Sequence, residues 1–112
     1  MPKVNYQQAI LRVFQARPKA GKAQQLKDKF AQTSVTVVVG EPGNLGYLYG
    51  TDLSSDHDLV FISLWESLGA VKQRFGENWQ VSFLPEGYEE LIEYCTVRHI
   101  EFDGELSSLE KK

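Results

Sequence analysis

The fold is decided by the stretch Leu59-Val60-Phe61-Ile62-Ser63-Leu64-Trp65-Glu66-Ser67, where a strand passes directly into a helix. The short apolar run predicts a strand from Leu59 to Trp65. Ser67 can then accept a hydrogen bond from a free backbone N–H and begin a helix, which Gly76 ends. The apolar stripe of that helix consists of Leu68, Val71 and Phe75.

Upstream of this stretch, the sequence predicts a strand, a helix and a second strand. Apolar residues alternate from Ala9 to Ala16, with Arg12 on the face of Ile10, Phe14 and Ala16. From Lys19 onward, apolar residues recur at spacings of three and four, which is typical of an amphipathic helix. Although Thr33 to Val39 has high β propensity, the helical stripe continues through it, so the predicted helix runs to about Val38 and stops at Gly40. The aromatic segment Tyr47–Thr51 predicts the second strand.

Downstream, short helical turns are expected between Glu77 and Ile92, followed by a fourth strand from Tyr94 to Phe102. The order strand, helix, strand, strand, helix, strand is typical of an α+β, ferredoxin-like split βαβ fold with an antiparallel sheet. We therefore predict a single domain over residues 1–112, with a core at about 9–102 and a loose tail at 103–112.

Helices on one side of such a sheet leave its other side open. Because the strands carry apolar side chains on both faces, a monomer would expose a large apolar patch, which is rare in soluble proteins. This pattern predicts a homodimer in which two sheets pack face to face.

Composition limits the classes of partner. The chain has 112 residues, a net charge of −3 and a pI near 5.3, so a nucleic acid is a poor partner. The longest apolar run is far shorter than the roughly 20 residues of a membrane-spanning helix. The single Cys95 and the polar amino terminus favour a reducing cytoplasm.

Two motifs resemble those of the antibiotic biosynthesis monooxygenase (ABM) domains, a family of dimeric α+β barrels. Pro42-Gly43-Asn44-Leu45-Gly46-Tyr47 is similar to the family's entry to strand two. Phe61 to Ser67, with Ala70, is similar to its strand-three Trp-Glu-Ser motif. The resemblance spans about Ile10 to Phe102 and implies the dimeric barrel. Members of the family include cofactor-independent oxygenases of quinols and polyphenols, haem-degrading enzymes, and proteins without a known activity.

The chain departs from the active-site patterns of both enzyme groups. Phe61 and Val71 stand where the polyphenol-oxidising members have Asn and Tyr, and of that set only Trp65 matches. The haem-degrading members have a His soon after the second helix, and residues 77–84 contain none. We therefore expect no haem, no metal and no other cofactor.

His99 is the candidate catalytic residue, because a neutral imidazole could take a proton from a phenol near pH 7. The alternative is a hydrogen-bonded structural histidine. We predict that His99 lies on the barrel side of the sheet, since under the helices it would need a buried partner. Arg98 points to the opposite face and could pair with a carboxylate at the dimer seam. Candidate substrate-binding residues, each of which could instead be core or sheet packing, are Tyr47, Phe61, Trp65, Trp79 and Tyr88.

Two functions follow from these features. The first is a cofactor-independent monooxygenase of a quinol or electron-rich aromatic, in which the ionised substrate itself reduces dioxygen. The alternative is a non-catalytic small-ligand-binding or stress-associated barrel module. The loop with Asp52, Asp56, His57 and Asp58 is expected to be a solvated turn and not a metal site.

Overall fold

A computed structural model describes residues 8–104, which form a four-stranded antiparallel sheet with helices on one face. The first seven residues and positions 105–112 of the predicted tail lie outside the described part. The strands are β1 (Ile10–Pro18), β2 (Asn44–Asp52), β3 (Asp58–Trp65) and β4 (Ile92–Glu101). Their order in the sheet is β2-β3-β1-β4, which confirms the ferredoxin-like α+β fold.

The first helical segment runs through the β-prone residues, as the apolar stripe predicts. It consists of α1 (Ala23–Lys29), a π-helical turn (Phe30–Ser34) and α2 (Val35–Val38), and Gly40 follows with a φ of 75°. Burial of one face outweighs β propensity here. The buried residues recur every four positions and are Leu26, Phe30, Ser34 and Val38.

The second helical segment is α3 (Leu68–Phe75), which a 3₁₀ turn (Gly76–Asn78) extends. The Ser67 side chain accepts a hydrogen bond from the backbone N–H of Ala70, and Gly76 ends the helix with a φ of 74°. Both predicted boundaries are therefore confirmed. After the 3₁₀ turn, residues 79–91 form turns and irregular chain where short helical turns were expected.

The core lies between the helices and one face of the sheet. On β1 this face carries Ile10, Arg12, Phe14 and Ala16, and the opposite face carries Leu11 and Val13. The opposite face has no helix over it in residues 8–104, and Leu48 and Ile100 on it are 73% and 42% exposed. The predicted uncovered sheet face is thus present.

A network of polar side chains lies on this open face, at the amino-terminal end of β3. The buried Asp58 accepts hydrogen bonds from Arg17 at 2.9 Å and from Gln15 at 3.0 Å. Burial alone would raise the pKa of Asp58, but the hydrogen bonds from Gln15 and Arg17 and the charge of Arg17 outweigh it, so the pKa is lowered. Asp58 is therefore a structural anchor of the sheet. His57 is exposed in the adjoining turn, as expected for a solvated loop.

Candidate functional site

A small cavity lies between the helix-covered face of the sheet and the helices. Its volume is about 40 Å³, which is space for a few water molecules. Its wall is mostly aromatic and aliphatic, and among residues 8–104 the only charged side chain that lines it is Arg12. The lining residues are Arg12, Phe14, Ser34, Val37, Val38, Phe61, Ser63, Phe75, Phe83, Pro85 and Tyr88.

Arg12 lies in a row of polar side chains that crosses the whole sheet. The strand registers pair Tyr47 with Ser63, Ser63 with Arg12, and Arg12 with His99. Because paired residues on neighbouring strands point to the same side of a sheet, all four face the helices. We call these residues the cross-strand row.

The guanidinium of Arg12 is buried without a carboxylate partner among residues 8–104; the residue is only 4% exposed. Its Nη1 donates to the Trp79 carbonyl at 2.6 Å and lies 3.0 Å from His99 Nε2, while Nη2 lies 3.4 Å from the Val81 carbonyl. The guanidinium also lies over the Phe75 ring, 3.7 Å from its centroid. Burial, reinforced by the charge of Arg74, lowers the pKa of Arg12 to about 10. Such a cation favours an anion in the adjoining cavity.

His99 lies on the helix-covered side, so its predicted position on the barrel side is wrong. The strand order decides this, because β4 pairs with β1 and the register aligns His99 with Arg12. The buried partner that such a histidine needs is Arg12. Because Arg12 can only donate, His99 Nε2 accepts, and the imidazole carries its proton on Nδ1. Burial and then the charge of Arg12 lower the pKa of His99, which keeps the ring neutral at pH 7.

The ring of His99 is half-buried and packs against the edge of Trp79, with 4.9 Å between the ring centroids. Neither ring lines the cavity, but His99 Nε2 and the Trp79 carbonyl both contact Arg12 Nη1. His99 and Trp79 are therefore placed to hold the guanidinium in position.

Trp65 is fully buried and does not line the cavity. Its Nε1 donates to Ser63 Oγ at 2.8 Å, and its ring packs edge-on against Phe75. The side chain cannot stack on a ligand in this arrangement. It orients Ser63, which does line the cavity.

Three other predicted aromatic residues lie on the same side of the sheet. Phe61 lines the cavity and is stacked between Tyr47 and Tyr49, with 5.9 Å between ring centroids on each side. Tyr47 is 37% exposed at the sheet edge and is not part of the lining. Tyr88 does line the cavity. Its hydroxyl donates to the Lys29 carbonyl at 2.9 Å and lies 2.7 Å from Ser34 Oγ, and burial raises its pKa.

Sequence reasoning missed Arg12 and Ser63, although a signal for Arg12 is present. A charged residue alternating with Ile10, Phe14 and Ala16 must be buried, and a buried charge requires an explanation. Ser63 has no comparable signal, because serine is common on either face of a strand.

Within residues 8–104, no group of His, Cys, Asp and Glu side chains could hold a metal ion. No helix in this part of the chain is both long and apolar enough to span a bilayer.

Comparison with known proteins identifies the protein family of this chain. The family model for antibiotic biosynthesis monooxygenases matches residues 9–78, more than half of the chain. The protein belongs to this family. A search against curated proteins found no match to the sequence.

Solved structures agree on the fold. Rv0793 from Mycobacterium tuberculosis is 15% identical with a TM-score of 0.65, and the match covers 91% of this chain and 99% of that one. SnoaB, a cofactor-independent oxygenase from Streptomyces nogalater, is 17% identical with a TM-score of 0.58 (93% and 96% covered). A MhuD variant with two manganese protoporphyrin IX molecules bound per active site is 18% identical with a TM-score of 0.61 (83% and 93% covered). At these identities the matches show the fold alone.

Proposed function

We propose that the protein is a cofactor-independent monooxygenase of a small aromatic hydroxyl compound, which binds in the cavity with its ionised oxygen beside Arg12. The observation that carries the proposal is the buried guanidinium, which has no carboxylate partner in residues 8–104 and faces an apolar, aromatic-lined space. Membership of the antibiotic biosynthesis monooxygenase family and the structural similarity to the cofactor-independent oxygenase SnoaB support the same reaction type.

The reaction needs no external reductant. A phenolate is electron-rich enough to reduce dioxygen, and a buried cation stabilises the phenolate relative to the phenol. In the overall conversion, one oxygen atom replaces a ring hydrogen as a new carbonyl, and the other leaves as water. A phenol and one O₂ thus become a quinone and one H₂O, so atoms and electrons balance.

His99 has a different role in this proposal from the general base expected from the sequence. Its Nε2 is occupied by Arg12, and no lining side chain in the described part of the chain is a carboxylate, a lysine or a histidine. The phenol therefore loses its proton to solvent, because Arg12 favours the ionised form. His99 is a positioning residue that holds the guanidinium.

A ring-sized ligand requires part of the wall to move. Space for a few water molecules is far below the roughly 300 Å³ of typical ligand pockets. Phe83 and Pro85 belong to the irregular segment of residues 79–91, and Phe83 is 46% exposed. Residues 82–85 of this segment are the part of the wall that would open, since they belong to no regular element, whereas Trp79, Val81 and Tyr88 are held by hydrogen bonds.

The second candidate is a non-catalytic module that binds a small apolar ligand. It is favoured because the lining residues within positions 8–104 include no general base. We also propose that the protein is a homodimer whose open sheet faces pack together, and that it resides in the cytoplasm.

Oxygen uptake with a panel of monophenols and hydroquinones tests the proposal. The wild-type protein should consume one O₂ per phenol and release no hydrogen peroxide, as addition of catalase would reveal. Arg12→Gln should lower kcat by about 10²-fold, the usual effect of losing a donor to an oxyanion. His99→Gln, whose amide oxygen can accept from Arg12, should retain more activity than His99→Ala. If a ligand binds and no oxygen is consumed, the protein is the binding module.

A further inference from the structure

Ser63, like Arg12, is a polar side chain that lines the cavity from the side of the sheet. It is 2% exposed and is the cross-strand partner of Arg12. The Trp65 indole N–H donates to its Oγ at 2.8 Å. The Trp65 indole can only donate, so this contact uses a lone pair of Ser63 Oγ. The O–H of Ser63 is left available as a hydrogen-bond donor. No group in residues 8–104 accepts that proton.

On the same side of the cavity, Arg12 has an N–H donor that makes only a long hydrogen bond. Its Nη1 makes the two shorter contacts, to Trp79 and His99, whereas Nη2 has only the 3.4 Å contact with the Val81 carbonyl. A ligand oxygen at Nη2 would thus replace a long hydrogen bond with a charge-assisted one.

Among the described residues, the opposite wall of the cavity offers no comparable donor. Tyr88 donates its proton to the Lys29 carbonyl, and Ser34 therefore donates to the Tyr88 oxygen. Ser34 then presents only lone pairs to the cavity, which disfavour an anion. The polarity of the cavity is thus asymmetric: within residues 8–104, hydrogen-bond donors are available on the sheet side and none is available on the helix side.

We infer that Ser63 and Arg12 together form an oxyanion-binding site, in which one anionic oxygen of the ligand accepts from the Ser63 O–H and from Arg12 Nη2. Trp65 is a positioning residue for this site. Because its indole N–H donates to Ser63 Oγ, the Ser63 proton points away from the indole. The ring of the ligand then lies toward Phe61, Phe75 and Phe83. The inference rests on the proposed function only in taking the ligand to be a phenolate.

Binding of 4-nitrophenol tests this inference without any oxygen chemistry, because its phenolate is coloured and reports its own ionisation. A pH titration with the wild-type protein should show a lower phenol pKa for the bound probe than for the free probe. Ser63→Ala should weaken phenolate binding about tenfold, the usual effect of one hydrogen bond to a charged group. Ser63→Thr, which keeps the hydroxyl, should restore most of that loss.

Two controls separate the anion site from the shape of the cavity. Nitrobenzene has the same ring without the phenolate oxygen, and its binding should be unaffected by Ser63→Ala. Ser34→Ala removes a hydroxyl from the other wall that cannot donate to an anion, so it should not weaken phenolate binding. The inference is overturned if the wild-type protein does not bind the phenolate, if Ser63→Ala binds it as tightly as the wild type, or if Ser63→Ala weakens both probes equally. These outcomes are independent of oxygen uptake, so the failure of one proposal can be distinguished from that of the other.

Discussion

Replacement of Arg12 by methionine separates a functional arginine from a structural one. The lowering of the pKa of Arg12 from its ordinary value to about 10 corresponds to about 3 kcal/mol of unfavourable free energy for the charged form in the folded chain. Arg12→Met removes this cost and places an apolar side chain in an apolar site.

The substitution also removes the hydrogen bonds that Arg12 makes. The Trp79 carbonyl loses a donor at 2.6 Å, His99 Nε2 loses one at 3.0 Å, and the Val81 carbonyl loses a long one at 3.4 Å. At about 1 kcal/mol each, these losses roughly cancel the gain. We therefore expect the free energy of unfolding of Arg12→Met to lie within about 1 kcal/mol of the wild type.

Urea denaturation at neutral pH and at one protein concentration measures this difference. Leu26→Ala is the matched control, because Leu26 is also buried on the helix-covered side and its truncation should cost about 2–5 kcal/mol. Binding of 4-nitrophenolate to Arg12→Met should fall at least about tenfold. A loss of stability above about 2 kcal/mol with unchanged phenolate binding would show that Arg12 is a core residue and refute the proposed site.

Gly43→Ala should destabilise the protein by about 1–3 kcal/mol more than Gly40→Ala in urea denaturation, because both have a positive φ but only at Gly43 would the added Cβ lie 2.5 Å from Ala70 Cβ; equal losses would contradict this. The pKa of His99 is lowered by burial and by Arg12, so the folded state resists protonation; unfolding measured against pH should show stability that is complete above about 6.5 and declines as the pH falls toward the folded-state pKa. His99→Gln should abolish this decline, and an unchanged pH profile would assign it to another group. Light scattering at micromolar concentration should give about twice the 12.7 kDa chain mass, whereas a soluble monomer would exclude the face-to-face dimer.

Local sequence signals determine the passage from β3 into α3. The apolar run, the Ser67 cap and the positive φ of Gly76 each act within a few residues, and the structure confirms the boundaries that they predict. The stripe from Ala23 to Val37 likewise predicts the first helical segment. Its π-helical turn at Phe30–Ser34 was not predicted, and we identify no sequence signal for it.

The candidate site depends on contacts between residues that are far apart in the chain. Alternation shows that Cys95, Val97 and His99 share one face of β4, but it cannot show which face the helices cover. The strand order β2-β3-β1-β4 decides this, because it places β4 beside β1 and aligns His99 with Arg12. The same register aligns Ser63 with Arg12, a pairing that no local pattern encodes. The amino-acid sequence by itself thus determined the elements, their apolar faces and the family. Tertiary structure decided which polar side chains meet, because strand pairing and helix packing are set by the whole core and not by neighbours along the chain.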